Sequence, residues 1–83
     1  MAEVIFLKKR KNIVGIKIKL ARLAEKPKAT QKDISARLEI EGVILSDSAI
    51  GKIENGSSSV TDLQIYAFAK ALKVTPEWLI SND

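Results

Sequence analysis

The stretch that most constrains the fold lies mid-chain, from Thr30 to Gly56: TQKDISARLEIEGVILSDSAIGKIENG. Thr30 to Asp33 spells T-x-x-D. In that pattern the hydroxyl and the carboxylate each satisfy a backbone N–H of the other's residue, so a helix begins here. Ile34 and Leu38, four apart, give this helix one apolar face, and Ser35 is small enough to admit a close neighbour. Its end is expected between Glu39 and Glu41, with Gly42 as the stop. Val43-Ile44-Leu45 then reads as an apolar connector, extended and tucked against the core. Ser46 caps a second helix, with Asp47 in the first turn, where the helix dipole favours an acid. Ile50 and Ile53, with Ala49, must face inward, which turns Asp47, Ser48, Gly51, Lys52 and Asn55 outward. Asn55-Gly56 ends the helix.

The flanks supply the support. Val4–Leu7 is an apolar run too short to type, followed by Lys8, Lys9, Arg10 and Lys11. That basic run is either a solvated terminus or an arm that contacts phosphate. Asn12 is expected to cap a helix reaching about Lys26. Ile16, Leu20, Leu23 and Ala24 form its core stripe, widened by Ile13, Val14 and Ile18. Gly15 weakens its first turn, and Pro27 stops it. After Gly56 comes a polar loop, Ser57 to Val60, and then a T-x-x-Q box at Thr61–Gln64. Ile65, Phe68, Ala69 and Leu72 follow at helical spacing, up to Lys73 or Val74. Thr75 and Pro76 start a last short helix. Val74 and Leu79 stand at hydrophobic-staple positions, and Trp78 is expected in the core. Five helices with short connections and no strand pattern make the class all-α.

Composition narrows the chemistry. At 83 residues and 46% hydrophobic the chain suits one small folded domain. It has no cysteine and no histidine, which removes thiolate chemistry, the commonest general base and the commonest metal ligand. The acids Asp33, Glu39, Glu41, Asp47 and Glu54 form no paired-carboxylate or metal-ligand pattern. The expectation is therefore a non-enzyme with no catalytic residue, no metal and no cofactor. No apolar run approaches a membrane span, and the apolar residues near the start precede the basic ones, the reverse of a secretory signal. A soluble cytoplasmic protein is expected. Charge is lopsided: residues 1–28 hold nine Lys or Arg against Glu3 and Glu25, whereas the rest hold five bases against eight acids. Such asymmetry points to an anionic partner, nucleic acid before an acidic membrane.

The order of the motifs carries a resemblance. T-Q opens one helix and I-x-x-x-L lies within it. S-x-x-A-I-x-K-I-E-N-G spans the next, and A-K-A-L-x-V-x-x-x-W-L follows. Over about residues 13–80 this resembles the phage repressor and Cro type of helix-turn-helix domain, the xenobiotic-response-element family. The resemblance implies a five-helix lambda-repressor-like domain at residues 13–83, preceded by a basic arm at 1–12. In such a domain the second helix lies across the DNA backbone and the third enters the major groove. Asp47, Ser48 and Lys52 would then occupy base-reading positions. Gln31, Asn55 and the Gly56 backbone would meet phosphate, with Lys17, Lys19 and Arg10 as further phosphate contacts. Arg22 and Glu54 would form a structural ion pair.

Three departures from the family pattern stand out. The Leu38–Ser46 segment is longer than the usual tight turn, so the turn between the second and third helices is enlarged. Asp47 repels phosphate: it either reads a base as an acceptor, most naturally cytosine N4, or only serves the helix dipole. Serines follow Gly56 where the family often carries bases, and Lys73 stands where a C-terminal glycine is common.

Two functional readings follow. One is a sequence-specific DNA-binding transcriptional regulator, a repressor, working as a homodimer on double-stranded DNA. The other is a protein-interaction or antitoxin-like module on the same fold. Neither implies a membrane or a small-molecule ligand. Dimerisation would use the last helix, with Ile80 exposed, or the Val4–Leu7 arm.

Overall fold

The computed structural model describes residues 9–81. The Val4–Leu7 run and Lys8 lie outside the described residues. Five helices follow one another: α1 Gly15–Ala24, α2 Gln31–Ile40, α3 Asp47–Glu54, α4 Asp62–Leu72 and α5 Pro76–Ile80. Among the described residues there is no strand.

Local chemistry sets most of the boundaries. The hydroxyls of Thr30, Ser46, Thr61 and Thr75 each accept from the backbone N–H three residues on, at the starts of α2, α3, α4 and α5. Both threonine boxes close reciprocally: Asp33 accepts from the Thr30 N–H at 2.8 Å and Gln64 from the Thr61 N–H at 3.0 Å. α2 ends where Gly42 takes φ 85°, and the Val43 N–H reaches back to the Leu38 carbonyl at 2.9 Å. α3 ends the same way at Gly56, with Ser57 donating to the Lys52 carbonyl at 3.0 Å. At the end of α4 the left-handed residue is Lys73, with φ 60° and ψ 41°.

The core is built from Val14, Ile18, Ile34, Leu38, Ile50, Ile53, Phe68, Leu72 and Leu79. Burying each such side chain contributes about 1.5–3 kcal/mol before entropy is counted. Ile65, Val43 and Leu45 pack against it from the side. The connection between α2 and α3 is only half tucked in, since Ile44 is 78% exposed. The Ser35 hydroxyl donates to the Leu45 carbonyl and pins the connection to α2.

Two expectations fail on α1 and α5. The stripe Ile16, Leu20, Leu23 and Ala24 does not face the core; Leu20 is 57% exposed. The buried face is Val14, Ile18 and Arg22, spaced by four, on the opposite side of the helix. α1 therefore carries apolar residues on both faces, and the side bearing Arg22 goes inward because it meets Glu54. The helix is also shorter than expected, starting at Gly15 and ending at Ala24. Asn12 still caps it in effect, since its Oδ1 accepts from the Gly15 N–H at 2.7 Å. Trp78 lies at the surface rather than in the core, its ring covered by the Lys17 ammonium at 4.9 Å.

Candidate nucleic-acid interface

The exposed side of α3 carries Asp47, Ser48 and Lys52, and Asn55 continues it at the C-cap. Ile50 and Ile53 anchor the opposite side with essentially no exposure, so the helix cannot rotate without opening the core. The three expected base readers therefore share one accessible surface. The Asp47 carboxylate turns back on its own helix and accepts from the Ser48 N–H at 2.8 Å. That contact serves the helix terminus and leaves the second carboxylate oxygen for other partners.

Beneath this surface lies a buried ion pair. Arg22 Nε and Nη2 each donate to a different Glu54 oxygen, both at 2.8 Å, and Nη1 donates to the Ala29 carbonyl at 3.0 Å. Hydrogen bonding to Glu54 is the chief reason the Arg22 pKa is raised, against the effect of burial. Gln31, the first residue of α2, adds its amide to Glu54 Oε1 at 3.1 Å. One carboxylate thus ties together the end of α1, the start of α2 and the end of α3. The second Gln31 amide hydrogen remains for another acceptor. Gly51 permits this approach, because a Cβ there would stand 3.3 Å from Gln31 Nε2.

The other expected phosphate contacts divide. Lys19 is exposed on α1. Asn55 is exposed, and its Oδ1 accepts from the Ser57 N–H at 2.9 Å, which leaves its amide hydrogens outward. Lys17 is buried instead. Its ammonium donates to the Trp78 carbonyl at 3.1 Å and to the Ser81 hydroxyl, so it fastens α5 to α1. Gly56 is buried as well; its N–H closes the turn to the Ile53 carbonyl at 3.1 Å and is not offered outward. Arg10 is partly buried against the end of α3, with Nη2 donating to the carbonyls of Glu54 at 2.8 Å and Ile53 at 3.3 Å. Desolvation there lowers its pKa. In this structure all three are engaged within the protein. In each case an unsatisfied carbonyl or helix end claims the donor first.

Asn12 is the structural residue that sequence reading undervalued. Besides capping α1, its amide donates to the Ile53 carbonyl at 2.9 Å and the Ser58 carbonyl at 2.7 Å. An asparagine beside a charge run gives no local sign of partners more than forty residues away.

Two consecutive helices locked by a shared carboxylate, the second presenting a polar face, define a helix-turn-helix unit. The helix-turn-helix family model HTH_3 matches residues 18–79, and the chain belongs to this family, the xenobiotic-response-element type of DNA-binding regulatory domain. No curated protein and no solved structure matches the chain.

Proposed function

We propose that the chain is a sequence-specific transcriptional repressor, acting as a cytoplasmic homodimer on a palindromic duplex site. The observation that carries this reading is the exposed row Asp47, Ser48 and Lys52 on a helix whose other side is locked into the core. α3 enters the major groove with these residues at base edges. Gln31, Asn55 and Lys19 take phosphate oxygens and set the register without specifying sequence. The domain comprises residues 13–83, with the basic arm before it. Selection of bound duplexes from a random pool at moderate salt tests the reading. The expected result is an enriched palindrome with half-sites roughly 34 Å apart, or a multiple of that spacing. Failure to enrich any sequence would sink it.

A second reading, an interaction or antitoxin-like module, draws support from the enlarged turn. Ile40 is 84% and Ile44 78% exposed there, beside Glu39 and Glu41. Apolar side chains among acids suit a protein surface better than a phosphate backbone. Retention of one protein partner that is lost on Ile40→Asp and Ile44→Asp, with duplex binding unchanged, would favour it.

A further inference from the structure

The loop after α3, Ser57-Ser58-Ser59, carries no cation. The described segment Lys9–Asn12 is bonded directly against it. The Lys11 N–H donates to the Gly56 carbonyl at 2.8 Å, and Asn12 donates to the Ser58 carbonyl at 2.7 Å. Between these bonds and α3 lies the Arg10 side chain, fitted between two glycines. A Cβ on Gly56 would stand 2.7 Å from Arg10 Cζ, and one on Gly15 would stand 2.7 Å from Arg10 Nη2. Arg10 Nε also donates to the Asn12 carbonyl at 3.0 Å, which folds the segment back on itself. The same guanidinium therefore fixes the segment's own turn and covers the last carbonyls of α3. Lys9 and Lys11, on either side of Arg10, are both exposed.

We propose that Lys9 and Lys11 are phosphate ligands grafted onto the serine loop, and that Arg10 is the positioning residue that bolts them beside the C-terminal end of α3. This rests on the DNA-binding reading above. The physical reason is placement. A lysine on a mobile terminus contributes little directed charge, whereas Lys11 is held one backbone hydrogen bond from Gly56, next to the exposed Asn55. Cations missing from the loop sequence are thus restored in space from a segment more than forty residues earlier.

The test measures affinity of the full chain for a mixed-sequence duplex between about 50 and 200 mM salt. Wild type, Lys9→Ala with Lys11→Ala, Arg10→Met, and the charge-matched control Lys70→Ala with Lys73→Ala are compared, each with a melting temperature. Removing two phosphate contacts should flatten the plot of log affinity against log salt by up to about 1.8, at about 0.9 per contact. The Lys9/Lys11 variant should do this with its melting temperature unchanged. Arg10→Met should flatten the plot comparably and also melt earlier, since α3 loses its carbonyl cover. The control should keep the wild-type slope. An unchanged slope in the Lys9/Lys11 variant would overturn the proposal, as would equal flattening in the control, which would make net charge the cause. A full slope in Arg10→Met would overturn the positioning role. A wild-type chain that binds no duplex would instead defeat the DNA-binding reading itself.

Discussion

Arg22–Glu54 and Glu25–Arg37 have the same chemistry in different surroundings. Each is a two-pronged guanidinium–carboxylate pair, at 2.8 and 2.8 Å in the first and 2.7 and 2.8 Å in the second. Each links the C-terminal end of α1 to a later helix. The side chains of Arg22 and Glu54 are 10% and 4% exposed, those of Arg37 and Glu25 36% and 31%. Around Glu54 both carboxylate oxygens accept from side-chain donors, and among the described residues no buried side-chain nitrogen or oxygen lacks a partner. The outer pair borders an open cleft of about 490 Å³ lined also by Lys26, Leu72 and Lys73. Geometry alone does not rank the two; access to water does. A broken buried pair strands a charge, and a broken outer pair is rehydrated.

The sharpest way to break the comparison is Glu54→Ala. It leaves the Arg22 guanidinium and the Gln31 amide without their acceptor, and stability should fall by about 3–5 kcal/mol in urea denaturation. Replacing both partners, Arg22→Met with Glu54→Met, should recover most of that loss, because no charge is then left buried. A double variant as unstable as the single one would mean that packing, not charge, sets the cost.

Next in size is Lys73→Gly, beside the outer pair. Lys73 sits at φ 60°, where a side chain is strained and glycine is not. Removing it also removes a cation whose attraction helps hold the Glu25 pKa down. Strain should win, since the attraction is screened at this surface, and the variant should gain about 1 kcal/mol. A loss in thermal unfolding would show that the outer charge cluster matters more than its exposure implies.

What could be read from the sequence follows the same division between local and distant causes. The starts of α2, α3, α4 and α5 are written in caps a few residues long, so Thr30, Ser46, Thr61 and Thr75 were legible. The face of α1 was not. Two apolar stripes compete on that helix, and hydrophobicity favours the one that stays exposed. The deciding signal was Arg22: once it is paired with Glu54, Ile18 and Val14 follow at four-residue steps. Asp47, Ser48 and Lys52 were placed outward by the inward demands of Ile50 and Ile53. The intramolecular partners of Lys17, Arg10 and Gly56, at Trp78, Glu54 and Ile53, were not legible, because they include backbone carbonyls that no residue type advertises. Of the two ion pairs, only the inner one was suggested by resemblance; the outer one carries no motif.

Arg37→Ala is the direct counterpart of Glu54→Ala and should cost far less, within about 0–1 kcal/mol. Arg37 also donates to the Ala71 carbonyl at 3.2 Å, but Arg37 itself lines the open cleft, where its guanidinium meets water. The expected ratio between the two variants is the measurement. Costs of similar size would remove burial as the explanation for the difference between the pairs.

The smallest effect is on the acid limb of stability. Hydrogen bonding from Arg37, and more weakly its charge and that of Lys73, lowers the Glu25 pKa below the ordinary carboxylate value. A carboxylate with a depressed folded pKa adds stability above its unfolded pKa, and this is lost as pH falls through the folded value. Asp33 acts in the same direction through its bonds to Thr30. Stability should therefore decline as pH drops from the ordinary carboxylate range to the lower folded pKa values. Glu25→Gln should make that decline shallower and lower stability at neutral pH by the same small amount, because the contribution it removes is the one present above the unfolded pKa. High salt should shrink the Glu25 contribution, because the pair is open to counterions. An acid limb of wild-type steepness in Glu25→Gln would assign the whole decline to other carboxylates, and the outer pair would then be energetically silent across the pH range.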